Sequence, residues 1–285
     1  MSKTWDNELA LKWTNMVWPS RPSISDLYIL KNYADVLRKK YNRRLKILIL
    51  GSTPEFRDFA FEENMMSVVV DKNPSYHHVI NREIRHKDML GNPEFERVVF
   101  ESWEKTTLSE RFDLIVGDLV VGNIDKKDLD SFLLKISSLL EDDGLFIQKS
   151  IYSIPRDKQL SSEEIVELYY KKYLGFHPYS YLTHAISMNV VDEDNMMRFN
   201  KLYDELVRLF SLGILKKEEM DYFNSIGIDK EMGFLFHMIP IDEYEHMVEK
   251  YFNIHEIKYG IDIDSKFMPI HILSNKKSVL FGGKK

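Results

Sequence analysis

Four residues mark where this chain can place chemistry: Gly51, Asp71, Asp88 and Asp118. Gly51 closes the run Leu45–Leu50, apolar except for Lys46, and precedes Ser52, Thr53 and Pro54. A short apolar run that stops at glycine predicts a parallel strand buried on both faces. Proline suits the first turn of a following helix, where its missing N–H costs nothing. Strand, tight turn and helix put Gly51 at the carboxyl edge of an open α/β sheet, where ligands bind. Asp71 ends a second apolar run, Ser67–Val70, about 20 residues after Gly51, and a carboxylate at that strand tip can accept hydrogen bonds from both hydroxyls of a ribose. Ile84–Lys87 is expected as a short third strand ending at Asp88, and Asp113–Gly117 as a fourth ending at Asp118.

The glycine loop narrows the ligand. A dinucleotide site needs Gly-x-Gly-x-x-Gly so that the backbone can approach a pyrophosphate. Here Thr53 and Phe56 take the second and third glycine positions. Pro54 removes an amide donor, and Glu55 sets a negative charge at the helix N-terminus, where a phosphate would bind. These features disfavour NAD and FAD. They suit S-adenosylmethionine, which carries a ribose without phosphate, and whose ammonium and sulfonium tolerate a nearby carboxylate.

On these residues the chain resembles class I S-adenosylmethionine-dependent methyltransferases. The resemblance covers about residues 43–150 and 241–275 and rests on Leu50–Glu55, Val69–Asp71, Lys87–Met89, Phe112–Asp118 and Leu140–Ile147. It is closer to a subgroup with a Gly-x-Thr-Pro-Glu loop and an N-terminal Arg-Pro-Ser, here Arg21–Ser23. The chain departs from the broader pattern at Leu50, Thr53 and Glu55. The resemblance implies a Rossmann-like α/β sheet of seven strands, with the last strand antiparallel between the fifth and the sixth. It makes Gly51, Ser52, Thr53, Asp71, Lys72 and Asp118 cofactor-binding residues. It gives Asp88 the adenine amino group and Met89 the face of the ring. Arg21 would reach the site from an N-terminal flap.

Composition sets the frame for these elements. The 285 residues allow one large domain or a domain with an elaboration. A net charge of −6 does not attract nucleic acid or an anionic membrane. The absence of cysteine excludes thiolate metal sites and fits a cytoplasmic protein. No apolar run approaches the roughly 18 residues of a membrane helix. His77-His78 lacks metal-ligand spacing with other residues, so no metal site is expected.

Residues 1–42 are read as an arm carrying Trp5, Trp13 and Trp18, then a helix from Ser23 or Ser25 to about Tyr41. Residues 43–150 form the cofactor-binding core, with helical character over part of 91–111 and a turn at Asp142–Gly144. From 151 to about 240 strands give way to helices, including a capping box at Ser161-x-x-Glu164. One crossover needs one helix, so this segment is expected as an inserted helical cap. Residues 241–285 add a helix and two strands that complete the core.

The cap carries His177 and His184, with His237 at its end, as candidate bases, and Tyr179 and Tyr181 as candidate pocket residues. A lone histidine or an aromatic layer is more often core. No aromatic clamp for a flipped base follows Asp118. The reading is a methyltransferase with a small-molecule or peptide-like acceptor. The alternatives are a protein that binds S-adenosylmethionine without catalysis, and a nicotinamide oxidoreductase. The rival to a cap is a homodimer layer.

Overall fold

The computed structural model describes residues 7–228, 230, 234–263 and 265–276; Trp5 lies outside them. Five strands, β1 (Lys46–Leu50), β2 (Met66–Val70), β3 (Glu96–Val99), β4 (Phe112–Asp118) and β5 (Leu140–Lys149), pair in parallel. An inserted ribbon joins β6 (Met196–Arg198) to β7 (Leu235–His237). β8 (Phe252–Lys258) and β9 (Ile270–Asn275) then close the sheet. Its order is β3-β2-β1-β4-β5-β9-β8, with β9 antiparallel to both neighbours. This is the order that the resemblance implies.

The alternation of side chains along a strand explains why both faces are covered. Leu48 and Leu50 of β1 pack with Ile115, Phe132 and Phe146 on one face. Ile47 and Ile49 pack with Leu30, Leu37 and Phe59 on the other. The helices here are α1 (Asn7–Leu11), α2 (Ile24–Tyr41), α3 (Pro54–Glu62), α4 (Pro74–Ile80) and α5 (Lys126–Leu139). α2 begins in a capping box in which Ser23 accepts the Asp26 N–H and the Asp26 carboxylate accepts the Ser23 N–H.

Three expectations are corrected. The third strand is not Ile84–Lys87 but Glu96–Val99, at the sheet edge beside β2. The Asp58 carboxylate takes the backbone N–H groups of Arg85 and His86, which ties this stretch to α3 instead of a ladder. The strand at 96–99 can begin with a charge because Glu96 is buried against Arg57, with both carboxylate oxygens 2.7 Å from guanidinium nitrogens. Residues 91–111 accordingly hold an edge strand and one short 3₁₀ turn, Trp103–Lys105, in place of the expected helix. Asp142–Gly144 is not a separate turn; it lies within β5, where the pairing with β4 shifts register between Phe112 and Leu114.

The inserted segment holds α6 (Ser162–Leu168), α7 (His184–Asn189), α8 (Phe199–Ser211) and α9 (Lys217–Ser225), before α10 (Ile241–Val248) returns to the sheet. Ser161 and Glu164 form the expected capping box. The segment has its own apolar cluster, built on Leu182, Leu202, Leu206 and Phe223. Its ribbon meets the core at one tight point: a Cβ on Gly122 would stand 1.9 Å from the Phe236 ring. The ribbon strands are too short to show a period of two.

Candidate functional site

A cavity of about 220 Å³ opens at the carboxyl edge of the sheet. Its walls come from the turns after β1, β2, β3 and β4, from Trp13 and Ser20 of the N-terminal arm, and from Met196, Phe234, Leu235 and His237 of the insert. Gly51, Ser52, Thr53, Asp71, Lys72 and Asp118 all line it. Gly51 turns with φ +91° and its N–H donates to Val70 O at 2.8 Å. The same carbonyl accepts the Trp103 indole N–H at 2.8 Å. Trp103 therefore covers the loop, 3.4 Å from where a Cβ on Gly51 would lie. We expect Gly51→Ala to cost about 1–3 kcal/mol, because alanine rarely adopts this φ. Urea unfolding checks this; unchanged stability would mean that the loop can shift.

Asp71 is buried at the tip of β2. Its Oδ2 accepts the Ser52 hydroxyl at 2.7 Å and its Oδ1 the Asn73 N–H at 2.9 Å. Ser52 has one proton, so once it is given to Asp71 the Ser52 oxygen accepts the Nδ1–H of His77, 2.8 Å away. Burial lowers the His77 pKa to about 4, so the ring is neutral. The serine sits between the aspartate and the histidine, so His77 does not activate it as a nucleophile. The row holds Asp71 in place. Burial also pushes the Asp71 carboxyl up, against the hydrogen bonds from Asn73 and Ser52.

A second charged group lies across the cavity. Asp118 and Lys149 are register partners at the tips of β4 and β5. Lys149 Nζ donates to Asp26 Oδ2 at 2.7 Å and lies 3.3 Å from Asp118 Oδ1. All three side chains are buried, so one cation faces two carboxylates. Burial drives the Asp118 pKa up to about 7, with Asp26 adding to it and Lys149 opposing it. Lys149 stays charged: burial lowers its pKa, but Asp118 and Asp26 together raise it further. Asp118 Oδ1 accepts no hydrogen bond among the described residues.

Glu55, in the first turn of α3, is a further buried carboxylate, paired one to one. Its Oε1 pairs with Arg21 and accepts the Trp13 indole N–H at 3.3 Å. Its Oε2 is buried without a hydrogen bond among the described residues. Burial pushes this carboxyl up and Arg21 pulls it down. Arg21 therefore does not line the cavity. It braces Glu55 and the arm, and also donates to the Trp13 and Met16 carbonyls.

Asp88 and Met89 are not at the site. They lie in a 3₁₀ turn outside the cavity wall, and Asp88 is exposed. Their assignment rested on the misplaced third strand. The residues that follow the true β3 into the cavity are Ser102, Trp103 and Glu104. Sequence reasoning also missed Lys149, although it is a charged residue ending an apolar strand. It missed Asp26, His77 and Asn123 as well. Asn123 donates its side-chain amide to Leu119 O at 2.8 Å, holding the turn in which Leu119 takes φ +54°.

Of the three candidate bases, His237 lines this cavity and His184 lines an adjoining inner one. His177 lies outside both, against Tyr222. Tyr179 lines the inner cavity, while Tyr181 stacks in the apolar cluster of the insert. Among the described residues no three His, Cys, Asp or Glu side chains converge as metal ligands would, and no helix is long and apolar enough to cross a membrane.

No family model matches the chain, and no curated protein matches its sequence. Solved structures do match. A structure described as a putative Zn-dependent alcohol dehydrogenase from Rhodobacter sphaeroides is 12% identical, with 95% of this chain and 100% of that chain covered, at a TM-score of 0.55. The N-methyltransferase NodS from Bradyrhizobium japonicum, in complex with S-adenosyl-L-homocysteine, is 10% identical over 95% and 100% of the chains, at 0.46. The 1,6-didemethyltoxoflavin-N1-methyltransferase of Burkholderia thailandensis is 10% identical over 96% and 92%, at 0.48. At 12% identity the likeness to the first of these is one of fold alone. The strand order itself, with β9 antiparallel between β5 and β8, is that of the class I methyltransferase fold.

Proposed function

We propose that the chain is an S-adenosylmethionine-dependent methyltransferase whose acceptor lies beneath residues 151–240. The observation that carries this is surplus buried negative charge beside a strand-tip carboxylate. Lys149 is shared between Asp26 and Asp118, and Asp118 Oδ1, at the cavity wall, is buried without a hydrogen bond among the described residues. Such a site favours a cationic ligand with a ribose and repels a pyrophosphate. The residues therefore fit S-adenosylmethionine better than NAD. What the cofactor supplies when bound is a methyl group on an electrophilic sulfonium.

The chain's own residues bind and orient. Asp71 keeps free lone pairs for ribose hydroxyls beyond those used by Ser52 and Asn73. By position, the adenine role passes from Asp88 and Met89 to Ser102 and Trp103. Asp118 balances the cationic end. The insert contributes Met196, Phe234, Leu235 and His237 to the wall, which supports a lid that excludes water over a separate assembly layer. Glu104, Asp125 and Asp128 also line the cavity. With the net charge of −6, they favour a small-molecule or peptide-like acceptor over a nucleic acid.

Titration calorimetry tests the reading. S-adenosylmethionine is expected to bind, and NAD at the same concentration is not. Binding of NAD in preference, or of neither, would overturn it. Turnover with amine, hydroxyl and carboxyl acceptors then separates an enzyme from a binding protein.

A further inference from the structure

Behind the main cavity lies a smaller one of about 50 Å³, and the two share Ser20, Leu119 and Phe234 in their walls. Its lining is apolar and aromatic and includes no Asp, Glu, Lys or Arg. One helical face supplies much of it. Tyr179, Thr183, His184 and Ser187 follow each other through a π-helical turn into α7, and such turns recur at functional sites.

Three polar atoms in this face are orphans. Thr183 Oγ1 and both ring nitrogens of His184 are buried with no hydrogen-bond partner among the described residues. Thr183 and His184 are 5% and 2% exposed, so water does not satisfy them from the surface. A threonine hydroxyl within a helix can return to the backbone carbonyl four residues back, and here it does not. A buried polar group normally has a partner, and a packing role alone would be better served by valine and phenylalanine.

We infer that the inner cavity takes the uncharged aromatic end of the methyl acceptor, and that Thr183 and His184 select it by hydrogen bonding. This rests on the methyltransferase reading above. Burial lowers the His184 pKa to about 3, so the ring is neutral and offers one N–H donor and one bare nitrogen. The matching group both donates and accepts: a phenolic hydroxyl, or the N–H and carbonyl of a lactam. A carboxylate or an ammonium would meet no counter-charge. Tyr179, Phe199 and Phe236 suit a flat ring.

The test uses phenol, toluene and benzoate as probes, titrated by ligand-observed NMR with and without saturating S-adenosylhomocysteine. Phenol is expected to bind at least tenfold more tightly than toluene or benzoate. The T183V/H184F variant should reduce the preference for phenol over toluene to less than twofold. It should bind S-adenosylhomocysteine as the wild type does, and melt at the same temperature or higher. H184Q keeps a donor and an acceptor and should retain the preference, which also serves if the double variant does not fold. Equal binding of phenol and toluene to the wild type, or a preference that persists in folded T183V/H184F, would overturn the inference. Failure of S-adenosylhomocysteine to bind, measured separately by calorimetry, would overturn the methyltransferase reading instead.

Discussion

Asp71→Ala is expected to weaken S-adenosylmethionine binding by at least tenfold while the protein stays folded. A hydrogen bond to a charged group contributes roughly 1.5–3 kcal/mol, and the ribose offers two hydroxyls to this carboxylate. The fold should survive, because Asp71 is braced by Ser52 and Asn73 and not by the apolar core. Once the neutral His77 ring moves its proton from Nδ1 to Nε2, Ser52 can donate to Nδ1, 2.8 Å away, so no buried hydroxyl is stranded. Acidity gives an independent check. Burial raises the Asp71 pKa, so wild-type affinity should fall on acidification at a pH above the ordinary carboxylate range. Asp71→Asn should lose the part of that pH dependence that belongs to Asp71 and keep the part set by Asp118, whose pKa is pushed up to about 7. Calorimetry and a thermal melt decide the matter. An unchanged dissociation constant would place the ribose elsewhere, and a collapsed melting transition would make Asp71 structural.

Asp71 was legible because its signal is local: an apolar run, a strand tip and a set distance from a glycine. The sheet was legible for the same reason, since β1, β2 and β4 are short apolar runs buried on both faces. β3 was not. It is an edge strand with part of its surface exposed, so its apolar run is short. Its buried charge, Glu96, is matched by Arg57 from another element. Once the strand was misplaced, Asp88 and Met89 followed it to the wrong position.

The electrostatics of the site were hidden for a different reason. Asp26 and Lys149 lie 123 residues apart in sequence, and no spacing rule joins a helix cap to a strand end. The Arg21–Ser23 motif was seen and Ser23 was expected as a cap, but the charged partners it arranges were not. Ser23 caps α2 so that Asp26 faces Lys149, while Arg21 neutralises Glu55. His184 was named only as one histidine among three. A core histidine and a ligand-facing one look alike in sequence; they differ in whether the ring finds a partner.

The buried Asp26–Lys149–Asp118 group should show the largest effect on stability. Removing one member of a buried ion pair costs about 3–5 kcal/mol, because the partner charge is left uncompensated. Lys149→Met strands two carboxylates at once, so a loss at the upper end of that range is expected at pH 8. The loss should shrink on acidification. Burial first, and Asp26 second, raise the folded pKa of Asp118 from 3.8 to about 7. The folded protein therefore holds a proton that the unfolded chain releases between these values. The stability this group contributes is full below about 3.8 and is lost as the pH rises through about 7. Removing Lys149 takes away the main opposing influence, which moves the upper limit higher and deepens the loss at pH 8. Asp118→Asn in the Lys149→Met background should recover part of the stability, since only Asp26 then lacks a cation. Lys149→Arg, which keeps the charge, should lose less than Lys149→Met. Urea unfolding of the four proteins at pH 5.5 and pH 8 separates these effects. If Lys149→Met matched the wild type at both pH values, the two carboxylates would have to reach water, and the surplus charge that favours a cationic ligand would not exist.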